Sequence, residues 1–117
     1  MPLNSNKKGR EAENRVATFL RVRGWECELV RLAGTIDRGD IWTPPQHLET
    51  AHRLEVKNHA NIVTALNEAC RDVVKLNVLF PHETCLGVVA RPGKSVSEWY
   101  AVRQMKDVFT DHIGDSF

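Results

Sequence analysis

Three acidic residues and a lysine stand where a fold could gather them into a reactive site. Glu55 and Lys57 are two apart in Leu54-Glu55-Val56-Lys57. On a β-strand, residues two apart share a face, so this carboxylate and ammonium project together. Asp40 follows Gly39, and fourteen residues separate it from Glu55, enough for one hairpin joining adjacent strands. Glu13 lies in a segment with helical periodicity, and Glu11 competes with it for the same role. Carboxylates drawn together repel and raise a pKa. A hard divalent cation removes that cost, since Mg²⁺ takes carboxylate and carbonyl oxygens and keeps several waters. The main-chain carbonyl of Val56 is a further candidate ligand. Such an ion lowers the pKa of a bound water and stabilises charge on a phosphoryl group. Lys57 can orient that water, help deprotonate it, or neutralise transition-state charge. The chemistry is hydrolysis of a phosphodiester. Taken singly, each element is ordinary: Glu-x-Lys on a strand is a solvated face, Asp after Gly is turn chemistry, and Glu on a helix is surface. Their order along the chain carries the specificity.

The elements that must position these residues follow from periodicity. Residues 1–8 read as a loose basic arm and residues 9–117 as one domain. A helix is expected from Gly9 to Arg23, with Ala12, Val16, Phe19 and Leu20 as its apolar stripe and Gly24 as its stop. Trp25 to Leu32 reads as a strand and residues 33–39 as a glycine-containing loop. Asp40 to Thr43 is a short strand stopped by Pro44-Pro45, and residues 46–51 form a turn. Arg53 to Lys57 is a third strand, with Leu54 and Val56 on one face and Glu55 and Lys57 on the other. Asn61 caps a second helix reaching Leu79, with Ile62, Ala65, Leu66, Ala69, Val73 and Leu76 as its stripe, and Pro81 closes it. Thr84 to Ala90 is apolar on both faces, as in a buried strand. Residues 91–94 make a turn, Trp99 to Val102 another strand, and Met105 to Ile113 a final helix. The order αβββαββα predicts an α/β fold: a central mixed five-stranded sheet flanked by helices.

Composition bounds the reading. The chain has 117 residues, 42% hydrophobic and 26% charged, which fits one globular domain and excludes a disordered, collagen-like or disulfide-scaffold chain. No apolar run approaches the roughly 18 residues a membrane helix needs. The segment Met1 to Lys8 has no apolar core behind its charges, so a signal peptide is not expected and the cytosol is. Sixteen basic residues against fifteen acidic leave a net charge of +1. Residues 7–23 are locally basic, with Lys7, Lys8, Arg10, Arg15, Arg21 and Arg23 against Glu11 and Glu13, a patch suited to phosphate. Cys27, Cys70 and Cys85 are far apart and read as reduced thiols, and the five histidines do not fall at zinc-ligand spacing.

Glu13, Gly39-Asp40 and Glu55-Val56-Lys57 together resemble the PD-(D/E)-x-K nuclease superfamily. Within it the chain is most similar to Holliday-junction resolvases of the archaeal and bacteriophage type. The likeness runs from Gly9 to Phe109: Gly9-x-x-x-Glu13 with Val16, Phe19, Leu20 and Gly24, then Arg31 and Ala33-Gly34-Thr35, Asp37 to Ile41, Leu54 to Asn58, and Gly87-Val88-Val89 with Trp99 to Val102. Gly39 stands where the motif has proline. The resemblance implies a restriction-endonuclease-like core and a homodimer that cuts branched double-stranded DNA. It assigns Asp40 and Glu55 as Mg²⁺ ligands (Mn²⁺ substituting), Glu13 as a metal- or water-linked ligand in preference to Glu11, and Lys57 as the catalytic lysine. Lys7, Lys8, Arg10, Arg38, Asn58 and His59 are candidate DNA contacts. Another nuclease on this fold, such as a nickase, flap or repair enzyme, is an alternative, as is a non-catalytic DNA-binding module on a degenerate nuclease fold. The small size, with no separate target-reading domain, argues against a restriction enzyme. With no recognition-helix motif, selectivity is expected to follow branch shape, not base sequence.

Overall fold

The computed structural model describes the backbone of residues 2–30, 39–46 and 50–108, and the side chains from Gly9 onward within those ranges. Helix α1 (Pro2–Val22) comes first, followed by strands β1 (Glu28–Leu29), β2 (Ile41–Thr43) and β3 (His52–Lys57). Helix α2 (Ile62–Leu79), strand β4 (Thr84–Val89), a 3₁₀ turn (Val96–Glu98) and strand β5 (Tyr100–Val102) follow. The sheet order is β1-β2-β3-β4-β5. Among the described residues its parallel pairing is β3 with β4, the pair joined through α2, because parallel neighbours need a crossover. The fold is α/β, with the five-stranded mixed sheet between helices.

Helix α1 lays Ala12, Val16 and Ala17 on one face of the sheet, against Ile41, Leu54 and Val88, with Val56, Leu86 and Trp99 packed around them. Its end is a Schellman motif: Trp25 N–H reaches Leu20 O and Gly24 N–H reaches Arg21 O, both at 3.0 Å, with Gly24 at φ +90. Helix α2 covers the opposite face through Ala65, Ala69, Val73 and Leu76. Asn61 Oδ1 accepts from the N–H groups of Val63 and Thr64, satisfying donors the helix itself cannot. Small residues let α2 lie close: a Cβ built on Gly87 would stand 2.9 Å from the Ala69 Cβ. Strand β3 is therefore covered on both sides, and its adjacent residues Leu54 and Glu55 are both buried.

The elements depart from the sequence reading at three places. Helix α1 starts at Pro2, not Gly9, so the expected basic arm is helical from its second residue; proline is tolerated there because the first turn needs no N–H. Among the described residues of the expected strand, 25–30, β1 keeps Glu28–Leu29, and Arg31 and Leu32 lie outside the described residues. The Gln46 side chain takes the ladder's place, accepting from Glu26 N–H at 2.9 Å and donating to Gly24 O at 2.7 Å. The 3₁₀ turn at Val96–Glu98 was not expected. Met105 to Val108 are helical, and the rest of the expected last helix lies outside the described residues, as do the glycine-containing loop through Arg38 and the side chains of Lys7 and Lys8. Cys27 and Cys85 are buried free thiols, and Cys70 is an exposed one.

Candidate functional site

Strand pairing sets the heart of the site. Ile41 pairs with Leu54 in the antiparallel β2–β3 ladder, and Asp40 stands just before it, at the entry to β2 and beside the same stretch of β3. Asp40 N–H donates to Leu54 O at 2.8 Å, and Val56 N–H donates to Asp40 Oδ2 at 2.7 Å. One aspartate is thus clamped to β3 through both its main chain and its carboxylate. Gly39 makes this entry possible: its φ is +87, and a Cβ there would stand 3.3 Å from Leu54 O. Proline, fixed near φ −65°, has no access to that conformation, which accounts for glycine where the motif has proline.

Alternation then sorts β3. Leu54 and Val56 pack on the α1 side, whereas Glu55 and Lys57 face α2. Glu55 is 5% exposed. Lys57 Nζ lies 3.9 Å from Glu55 Oε1 and 2.5 Å from Asp72 Oδ2 on α2. Partial burial pulls the lysine pKa down, but the hydrogen bond to Asp72 and the charges of Asp72, Glu55 and Glu68 outweigh it, and the pKa ends above the ordinary lysine value. Lys57 is held as an ammonium.

Glu13 approaches from α1. Its pKa is pushed up to about 7, first by desolvation and then by the charge of Asp40, with Arg10 pulling the other way. Glu13 and Asp40 therefore share one electrostatic environment, while Glu11 is exposed. Helix periodicity puts Glu13 beside the buried stripe and turns Glu11 outward.

The four residues form two linked pairs: Glu13 with Asp40, and Glu55 with Lys57, joined where Val56 N–H holds Asp40. Among the described residues no group of three or more His, Cys, Asp or Glu side chains forms a ready metal cage. The donor chemistry nevertheless fits Mg²⁺, which binds through one or two carboxylates plus waters and substrate phosphates, not through a full protein cage. The repulsion recorded at Glu13 marks a place where a cation would be favoured.

The candidate DNA contacts are less gathered. Arg10 is exposed beside Glu13, and Asn58 is exposed at the end of β3. His59 Nε2 pairs with Glu68 Oε2 on α2 at 3.0 Å. Lys7, Lys8 and Arg38 lie outside the described side chains. The structure adds an open groove of about 430 Å³ between α1 and the 3₁₀ turn, with Phe19 and Val96 in its wall and Arg15, Arg23, Ser95 and Ser97 among its polar lining. Arg15 also lies over the Trp99 ring, 4.8 Å from its centroid. The arginines belong to the basic run already visible in the sequence; Ser95 and Ser97 join them only through the fold. Asp72 is the functional residue that sequence reasoning missed. The available signal was its place on α2, four residues after Glu68, flanking the buried stripe.

No family model matches the sequence, and no curated protein does. Among solved structures, the fold is similar to the 1.6 Å structure of Archaeoglobus fulgidus Hjc, a Holliday junction resolvase from an archaeal hyperthermophile. The TM-score is 0.54 at 19% identity, covering 82% of this chain and 72% of that one. The likeness is one of architecture: the fold is restriction-endonuclease-like. Among the described residues no helix is long and apolar enough to cross a membrane.

Proposed function

We propose that this protein is a metal-dependent, structure-selective endonuclease that hydrolyses phosphodiester bonds at four-way DNA junctions during recombination. One observation carries the reading: Asp40 is hydrogen-bonded to the strand that bears Glu55 and Lys57, and Glu13 feels its charge. The fold shared with an archaeal resolvase supports it. Glu13, Asp40 and Glu55, with the Val56 carbonyl, would hold Mg²⁺, Mn²⁺ substituting. The ion would supply a low-pKa water and charge stabilisation at the phosphorus. Lys57, fixed as an ammonium, is the group that neutralises negative charge developing on the phosphoryl oxygens; the same contacts make it a poor proton acceptor.

Binding follows from charge and shape. The basic groove beside α1 suits a backbone phosphate, with Arg10, Asn58 and His59 as further contacts near the site. Affinity for junction DNA therefore falls steeply with salt, as counterions are released. Symmetric cutting needs two sites, and a homodimer supplies them. The exposed Val74 and Val78 on α2, with Met105, offer apolar surface for that contact. The cell interior, where such DNA resides, is the corresponding location.

The test is cleavage of a synthetic four-way junction with and without Mg²⁺. The wild type should nick it symmetrically, and Asp40→Asn or Glu55→Gln should abolish nicking while leaving junction binding intact. Cutting of flapped or linear DNA with junctions untouched would reject the resolvase reading and retain a nuclease. The open ligand set favours one competing reading, a DNA-binding module on the same fold. Its signature would be junction binding without cleavage, unaffected by either substitution.

A further inference from the structure

Helix α2 runs back along β3, and two of its acidic residues meet Lys57 at the end of the strand and His59 two residues beyond it. Asp72 Oδ2 is 2.5 Å from Lys57 Nζ, and Glu68 Oε2 is 3.0 Å from His59 Nε2. The spacings are compatible: four helix residues rise about 6.0 Å, and two residues of chain can span up to about 7 Å. Because the helix is antiparallel to the strand, the earlier acidic residue meets the later basic one. Both contacts form together in one docking position. Gly87 permits that position, since a side chain there would meet Ala69 and Val73 between the two rungs.

The lysine end of this ladder is the dry one. Side-chain exposure is 19% for Lys57 and 15% for Asp72, against 44% for His59. A lysine side chain carries four rotatable carbons, so an unanchored ammonium samples many positions. The Asp72 contact fixes the ammonium on the α2 side, within 3.9 Å of Glu55 Oε1.

We propose that Asp72 is a positioning residue: it holds the Lys57 ammonium beside Glu55, where the phosphoryl group would be cut. This rests on the nuclease reading above and deepens it by adding a residue from α2 to the site. Asp72 touches neither substrate nor metal in this scheme; it acts through Lys57.

The experiment compares Asp72→Asn, Asp72→Ala, Asp72→Glu, Lys57→Ala and the double variant Lys57→Ala/Asp72→Ala in the full chain, each checked by thermal melting. Single-turnover cleavage of a four-way junction in Mg²⁺ is measured beside junction affinity in EDTA. Asp72→Asn should cut about tenfold or more slowly, with affinity unchanged and Asp72→Glu recovering part of the rate. Asp72→Ala should add nothing in the Lys57→Ala background, since residues acting as a unit are not additive. Multiplying losses, or full activity of Asp72→Asn, would overturn the proposal. A readout independent of cleavage accompanies this: the ¹⁵Nζ ammonium resonance of Lys57, slow to exchange in the wild type, should vanish in Asp72→Asn. Its persistence overturns the positioning role even if the protein is a nuclease. Wild-type cleavage left intact by Lys57→Ala, with the resonance behaving as expected, rejects the catalytic role of the lysine instead.

Discussion

Gly87→Ala is the substitution that tests how the fold builds the site. Gly87 pairs with Glu55 across the parallel ladder and lies under α2. An added methyl would stand 2.9 Å from the Ala69 Cβ, 3.4 Å from the Val73 Cγ2 and 3.5 Å from the Ala69 Cα. Unstrained carbon contacts lie at about 3.5–4.0 Å, so the helix must lift by roughly 1 Å. Overpacking of this kind costs about 1–3 kcal/mol. Replacing a strand glycine by alanine returns about 0.5–1 kcal/mol, so the middle of the two ranges leaves a net loss of about 1 kcal/mol and a fall in Tm of roughly 4 °C. Urea unfolding of the parent, Gly87→Ala, Ala69→Gly and the double variant measures it. Ala69→Gly alone costs about 1 kcal/mol as a helix glycine, but in the double variant it removes the clash, so the cycle should show coupling of about 1 kcal/mol. A loss under about 0.3 kcal/mol for Gly87→Ala, or strictly additive effects, would refute the close-approach argument, and with it the account of why α2 reaches Lys57.

Three further outcomes follow. Gly39→Ala forces a left-handed φ on a residue with a Cβ and should lose about 1–2 kcal/mol in urea unfolding, with junction cleavage falling because Asp40 is displaced. Asn61→Ala removes the cap of α2 and should cost about 1 kcal/mol by the same measurement. Glu13, raised to about 7 in the folded chain from 4.5, keeps a proton that the unfolded chain has already released. Stability in EDTA should therefore fall as pH rises from about 4.5 to about 7, and the Glu13→Gln variant should show a flatter profile.

The parts of the fold written in local pattern were legible. Strand β3 was readable from Leu54 and Val56 alternating with Glu55 and Lys57, and α2 from its cap at Asn61 and its stripe through Leu76. The pairing of β2 with β3 followed because fourteen residues between Asp40 and Glu55 allow little but a hairpin. What local pattern does not encode was lost. Gln46 shortens β1 by reaching across twenty residues to Glu26, a choice set by where the strand ends meet. Asp72 was lost for a related reason: it follows Lys57 by fifteen residues on another element, and only the docking of α2 brings them together. Gly87 was the available clue, since a glycine inside an otherwise apolar strand marks close approach of a neighbour.

The division of charge explains why the two halves of the site differ. On the α2 side, the Lys57 ammonium lies against Asp72 and Glu55, so negative charge there already has a cation built into the fold. On the α1 side, burial and then the charge of Asp40 raise Glu13 to about 7, and Arg10 opposes them without offsetting them. On the proposed reading, a divalent ion would relieve Glu13 and Asp40, Glu55 would lie between ion and ammonium, and Lys57, anchored by Asp72, would stay in place for the substrate. The same reasoning predicts where a lost charge matters. Removing Lys57 should leave divalent binding near Glu13 and Asp40 largely intact while cleavage is lost, whereas Asp40→Asn should weaken divalent binding itself. Isothermal titration of Mn²⁺ into the two variants separates these cases, and clearly tighter binding in Lys57→Ala would show that lysine and metal compete for the same carboxylates.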